Sequence, residues 1–209
     1  MTLAGDRRLR ADAVRNAERI LVAASEVYAE LGADAPMEAI ARRAGVGERT
    51  LYRRFPTKAD LTRAVLDHSI AQHLTPVIER ALGRRNPLRG LTELVEGAVA
   101  LGAREHHVLA AARKADSLAG ISTQLDDALE ELTARARQAG LIRAGVVGDD
   151  LRRIVVMLNS VLWTMDPASD GWRRYAALML DAIATSPQTR RLPPCTPIQF
   201  PPHAETWPG

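Results

Sequence analysis

Apolar residues along this chain recur at intervals of three and four, the period of helices that bury one face. Val14, Ala17, Ile20, Leu21, Ala24, Tyr28 and Leu31 form the first stripe, and Gly32 is suited to end it through a left-handed C-cap. Met37, Ile40, Ala41 and Ala44 form a second, shorter stripe behind Pro36, a residue that a first helical turn tolerates. Gly45-Val46-Gly47 breaks the pattern. Another short helix is expected from Glu48 to about Phe55, closed by Pro56. Thr57 has the side chain of an N-cap for the next helix, and Asp60 stands three positions on, where a capping-box partner would be.

From Lys58 a long helix is expected through Leu61, Val65, Ile70 and Leu74, kinked or divided at Pro76. A turn at 83–87 precedes helices over about 88–105, 106–114 and 121–139. Gly140, Gly145 and Gly148 mark a loop, and Asp149-Asp150 supplies the negative charge that a helix start favours. The helix that follows carries Leu151, Ile154, Val155, Leu158, Val161, Leu162 and Met165. After a turn at 166–171, a last helix carries Trp172, Tyr175, Leu178, Met179 and Ile183. Runs of alternating β-branched residues are absent, as is any internal repeat. The expected fold class is all-α.

Composition adds three constraints. Apolar residues make up 46% of the chain, enough for a buried core. The net charge of +3 sits at one end, because residues 1–58 hold eleven Lys or Arg against eight Asp or Glu. A single cysteine, Cys195, excludes an internal disulfide and a multi-cysteine metal site. The apolar runs are too short to span a bilayer, and the charged first fifteen residues lack the core of a signal peptide. A soluble, cytoplasmic protein is therefore expected. Seven of the twelve prolines fall in the last 23 residues, so 187–209 is expected to be an extended or disordered tail. Ile198, Phe200 and Trp207 give that tail apolar groups with which it could still pack on the body. Residues 1–12 are expected to form a flexible arm.

The stretch from Met37 to Lys58, helix then glycine turn then helix, has the spacing of a helix-turn-helix, whose second helix enters the DNA major groove. With Leu51 at the centre of the inward face, Phe55 lies about 40° away, while Arg49 and Arg53 stand at about 160° and 200°. Thr50 and Tyr52 flank the two arginines. A guanidinium can bond bidentately to guanine O6 and N7. Tyr52, Thr57 and Lys58 are better suited to phosphate, which positions a protein without specifying sequence. Charge alone would equally describe a solvated surface helix.

Over residues 13–60 the chain resembles the tetracycline-repressor (TetR) family of bacterial regulators. The likeness runs through Ile20-Leu21-Val22-Ala23-Ala24, Tyr28-Ala29-Glu30-Leu31-Gly32 and Met37 to Gly47, and ends in Thr50-Leu51-Tyr52-Arg53-Arg54-Phe55-Pro56-Thr57-Lys58-Ala59-Asp60-Leu61. It implies about nine helices, the first three forming a DNA head and the last two a four-helix bundle with a second copy. Thr50, Tyr52 and Lys58 match family positions that touch DNA. Gly47 stands where the family often has Ser or Thr, and Arg54 where it often has His. Ala35-Pro36 replaces a threonine that often contacts phosphate, and Arg42 or Arg43 is expected to take over that contact.

The resemblance further implies an effector site and a dimer interface in the C-terminal part. Expected pocket residues are Ile70, Leu74, Leu101, Leu109 and Leu125, together with Leu129, Met157 and Trp163. Asn159, polar among apolar neighbours, either lines that pocket or hydrogen-bonds across the dimer. The interface is expected at Leu158, Val161, Leu162, Tyr175, Leu178 and Met179. The expected domains are 13–57 for DNA and 58–186 for effector and dimer. Partners would be double-stranded operator DNA, a small-molecule effector and a second copy, without a membrane. The histidine spacings do not suggest a metal site, and no cofactor is expected. Function is expected to be that of a ligand-responsive transcriptional regulator, most simply a repressor. An activator or a constitutive DNA binder would keep the same head. The rival reading is a helical small-molecule-binding protein or enzyme without DNA function, but nucleophile, phosphate-loop and dinucleotide motifs are absent.

Overall fold

The computed structural model describes residues 3–114, 123–166, 169–186 and 192–198, with the backbone alone over 3–14. The described residues form α-helices and no β-strand: α1 (Leu3–Leu31), α2 (Met37–Ala44), α3 (Glu48–Arg54), α4 (Lys58–Ser69), α5 (Thr75–Leu82), α6 (Pro87–Arg104), α7 (His106–Lys114), α8 (Thr123–Gln138), α9 (Gly148–Val161) and α10 (Trp172–Ile183). The fold is all-α. It comprises two compact units, residues 1–69 with 107–121, and residues 70–106 with 122–209.

In the first unit, α1 packs on α2 and α4, and α2 packs on α3. Ile20, Ala24, Tyr28, Ile40, Leu51 and Leu61 are sealed from solvent at its centre. Each large aliphatic side chain buried in this way contributes about 1.5–3 kcal/mol. The Tyr28 hydroxyl lies 2.8 Å from Thr62 Oγ1, and that hydroxyl donates to the Lys58 carbonyl at 2.8 Å. Thr62 has only one proton, so Tyr28 must be the donor to it. Burial pushes the Tyr28 phenol pKa up. Val108, Ala111 and Ala112 of α7 complete the same core, and Lys114 Nζ pairs with Asp34 Oδ1 at 2.5 Å.

α1 begins ten residues before the expected start, and residues 3–12 are helical rather than a flexible arm. Ala, Leu and Arg dominate this stretch and favour helix, and no proline interrupts it. The helix expected to run on from Lys58 changes character ahead of Pro76. Residues Ile70–Leu74 form a π-helical turn, and α5 restarts with proline in its first turn. Pro76 cannot donate to a carbonyl one turn back, and the widened turn accommodates that missing bond.

In the second unit α6 packs on α5, α8 and α9, and α10 packs on α6 and α9. Leu74, Leu91, Leu94, Leu129, Leu132 and Leu151 are buried there. Asn86, expected as part of a turn, is also the N-cap of α6: its Oδ1 accepts from Leu88 N at 3.0 Å and Arg89 N at 3.2 Å. Arg135 donates to the carbonyls of Leu82 at 2.8 Å and Arg84 at 2.9 Å, covering acceptors where α5 ends. Asp150 Oδ2 accepts from Val147 N at 3.0 Å at the start of α9, as the acidic pair anticipates. Residues 192–198 have no regular secondary structure, and Arg174 donates to the Pro193 carbonyl at 2.8 Å. Ile198 is 66% exposed and adds little packing. The rest of the tail, including Phe200 and Trp207, lies outside the described residues, as do residues 115–122.

Candidate nucleic-acid interface

The turn between α2 and α3 is built by hydrogen bonds that the sequence prescribes. Gly45 has φ 65° and ψ 35°, a left-handed conformation that side-chain-bearing residues disfavour. Its N–H bonds to the Arg42 carbonyl at 3.2 Å, and Val46 N bonds to the Ala41 carbonyl at 3.0 Å. These two bonds form a Schellman motif that ends α2. Gly47 is extended and opens α3, its carbonyl accepting from Thr50 N at 2.8 Å and Leu51 N at 3.1 Å. Without a side chain it leaves the free N–H groups of α3 uncapped.

Leu51 and Phe55 turn into the core, as the helical wheel requires. Arg49, Tyr52 and Arg53 stand on the exposed face, with Tyr52 43% accessible. These three side chains form no hydrogen bond or ion pair with any other described residue. Thr50 is half-buried at the edge of this face. Arg42, on the last turn of α2, is likewise exposed and unpaired among the described residues.

The remaining expected contacts are already engaged within the chain. Arg43 donates to Glu30 through both terminal nitrogens, at 2.9 and 2.5 Å, and to Glu26 at 3.2 Å. Those carboxylates push the guanidinium pKa up and hold α2 against α1. The guanidinium of Arg54 lies 6.0 Å from the centre of the Phe55 ring. Thr57 and Asp60 form a reciprocal capping box: Asp60 Oδ2 accepts from Thr57 N at 3.0 Å and from its hydroxyl at 2.8 Å, and Thr57 Oγ1 accepts from Asp60 N at 3.1 Å. Lys58 is half-buried with Nζ 5.7 Å from the Tyr28 ring centre. Burial lowers its pKa, while Asp34 opposes the shift. Sequence reasoning missed the Arg43 clamp, although Glu26 and Glu30, one turn apart on α1, were the signal for it.

Residues expected in the effector half fall into different settings. Ile70, Leu74 and Leu129 are buried, and Leu101 and Leu125 half-buried, in the second unit. Leu109 instead packs against the core of the first unit. Met157 and Trp163 differ from expectation in being exposed, and the Trp163 ring lies 4.0 Å from that of His106. Asn159 Nδ2 donates to the Val155 carbonyl at 2.9 Å, while its buried Oδ1 rests against Gly102.

Of the residues expected at a dimer interface, Leu158 and Leu162 are sealed into the chain's own core, and Val161 and Tyr175 are half-buried. Leu178 and Met179 are exposed, as are Val156 and Met157 on α9. α9 is apolar on two faces, and its periodicity could not show which of them turns inward. No group of three potential metal ligands occurs among the described residues. None of their helices is long and apolar enough to cross a membrane.

The family profile described as bacterial regulatory proteins, tetR family, matches residues 20–65. A TetR transcriptional regulator from Streptomyces coelicolor is 27% identical with a TM-score of 0.60, over 81% of this chain and 99% of its own. A TetR transcription regulatory protein from Mycobacterium vanbaalenii is 28% identical with a TM-score of 0.59, over 85% and 99%. The fold is shared by a Bacillus subtilis transcriptional regulator in complex with stearoyl-CoA, 18% identical with a TM-score of 0.65 over 79% and 98%. No curated protein matches the chain.

Proposed function

We propose that this chain is a regulator of the tetR family, whose profile matches residues 20–65, and that it is a repressor released from its operator by a small molecule. The observation that carries the reading is the surface of α3. Leu51 and Phe55 anchor the helix, and Arg49, Tyr52 and Arg53 stand opposite them with no competing bonds among the described residues. A helix so mounted fits a major groove about 12 Å wide.

In this reading two copies join through α9 and α10. Val156, Met157, Leu178 and Met179 supply the apolar surface that the association would cover. The paired heads then meet successive major grooves about 34–36 Å apart. Arg42, exposed and unpaired among the described residues, is placed to meet phosphates, and Lys58 would have to leave its position over the Tyr28 ring to join it. The effector is taken up by the second unit, and it acts by favouring an arrangement whose heads no longer match that spacing. The stearoyl-CoA complex supports this part at the level of the fold.

The experiment is to isolate duplexes bound by the full chain from fragmented genomic DNA, measure their affinity against salt, and screen compounds for release. Expected results are two-fold symmetric sites, a dimer by sedimentation, and affinity that falls steeply with salt. A monomer that binds no duplex would refute the reading.

A further inference from the structure

We propose that Arg49 and Arg53 each read one guanine, so that every operator half-site carries two guanines within two base-pair steps of each other. The inference rests on the DNA-binding reading above and specifies the partner of that same surface.

Arg49 and Arg53 are four residues apart on α3, which places them on one face and about 6 Å apart along the helix axis. Bases in duplex DNA are spaced at about 3.4 Å along each strand. The reach of the two side chains therefore covers neighbouring or next-neighbouring positions. A guanidinium presents two parallel N–H groups, and guanine presents two acceptors, O6 and N7, on its major-groove edge. Adenine pairs one acceptor with a donor, which a fork of two donors matches poorly.

The other arginines of α2 and α3 do not compete for that role. Arg43 is held by Glu26 and Glu30, and Arg54 lies about 60° from Leu51 on the helical wheel, off the face that carries Arg49 and Arg53. Arg42 belongs to α2, the helix that crosses the backbone in this geometry. Tyr52, between the two readers, has a single hydroxyl and cannot form a fork. Glu48 is exposed in the first turn of α3, but a carboxylate only accepts and cannot bond to O6 and N7.

The test is selection from a random duplex pool with the full-length wild type and with Arg49→Ala, Arg53→Ala and Arg42→Ala, each checked for an unchanged helical spectrum. The wild type is expected to enrich half-sites with two guanines at the stated spacing. Each of these two α3 variants, which loses every donor of its side chain, is expected to relax a different one of those guanines by about fivefold to a hundredfold relative to the other positions. Arg42→Ala is expected to weaken enriched and unselected duplexes by the same factor. An enriched motif without the paired guanines, or Arg49→Ala and Arg53→Ala variants that retain both preferences, would overturn the inference and leave the DNA-binding reading standing. If no duplex is bound at all, both fall.

Discussion

Gly102→Ala tests how tightly α6 and α9 are fitted together in the second unit. A Cβ built at Gly102 falls on Asn159 Oδ1 and lies 2.9 Å from its Cγ. In an exposed helix the same change would stabilise by about 0.8–1.0 kcal/mol, because alanine is the better helix former. Here the added methyl must displace the Asn159 amide. Overpacking costs about 1–3 kcal/mol. Loss of the 2.9 Å bond from Asn159 Nδ2 to the Val155 carbonyl costs about 0.5–1.5 kcal/mol more. The balance is a net destabilisation of about 0.5–3.7 kcal/mol. Placed on Asn159→Ala, the same substitution meets no amide, and its sign should reverse to a gain approaching 1 kcal/mol. The assay is urea unfolding of the four members of the cycle at one fixed protein concentration, followed by circular dichroism, with the slope m checked for constancy. An equal effect of Gly102→Ala in both backgrounds would refute the contact. A strong coupling would identify the amide as a packing element that holds two helices at close approach.

Two further predictions concern the head. Gly45→Ala forces a left-handed residue to carry a Cβ and should destabilise by about 1–2 kcal/mol, whereas Gly47→Ser adds the missing cap of α3 and should stabilise by about a few tenths of a kcal/mol; thermal unfolding distinguishes these opposite signs. Arg43→Ala should lower the melting temperature and leave the salt dependence of DNA binding unchanged, while Arg42→Ala should reduce the log–log salt slope by about one, and an equal loss of slope in both variants would contradict the division between them.

Much of the head was legible because one set of residues satisfies two requirements at once. Leu51 and Phe55 must face inward for α3 to fold, and that choice fixes where Arg49 and Arg53 point. Gly45 and the Thr57–Asp60 pair add stop and start signals with single-residue resolution. The second unit gave no such constraint. Met157 and Leu158 are neighbours of similar hydrophobicity, yet one is 49% exposed and the other 1%. Helical period locates an apolar stripe but cannot separate the two when both sides of the helix are apolar. Leu109 failed for a different reason. α7 follows α6 in the chain, but its side chains complete the core of the head unit, and no local pattern records that tertiary choice.

Arginine content shows where pattern reading ends and geometry is needed. Arg42, Arg43, Arg49, Arg53 and Arg54 look alike in sequence, and their summed charge makes the head basic. Three-dimensional neighbours divide them. Carboxylates one turn apart on α1 claim Arg43, and Arg54 projects about 60° from Leu51, off the exposed face of α3. Arg42, Arg49 and Arg53 keep their donors unspent among the described residues. Net charge draws any basic surface towards DNA, and that attraction carries no sequence information. Discrimination needs donors that are both fixed in direction and unsatisfied until a base edge arrives. On α3, the buried Leu51 supplies the first condition and the lack of an ion pair to Arg49 or Arg53 among the described residues supplies the second, so in the proposed reading the capacity to choose a sequence belongs to two arginines and not to the charge of the head as a whole.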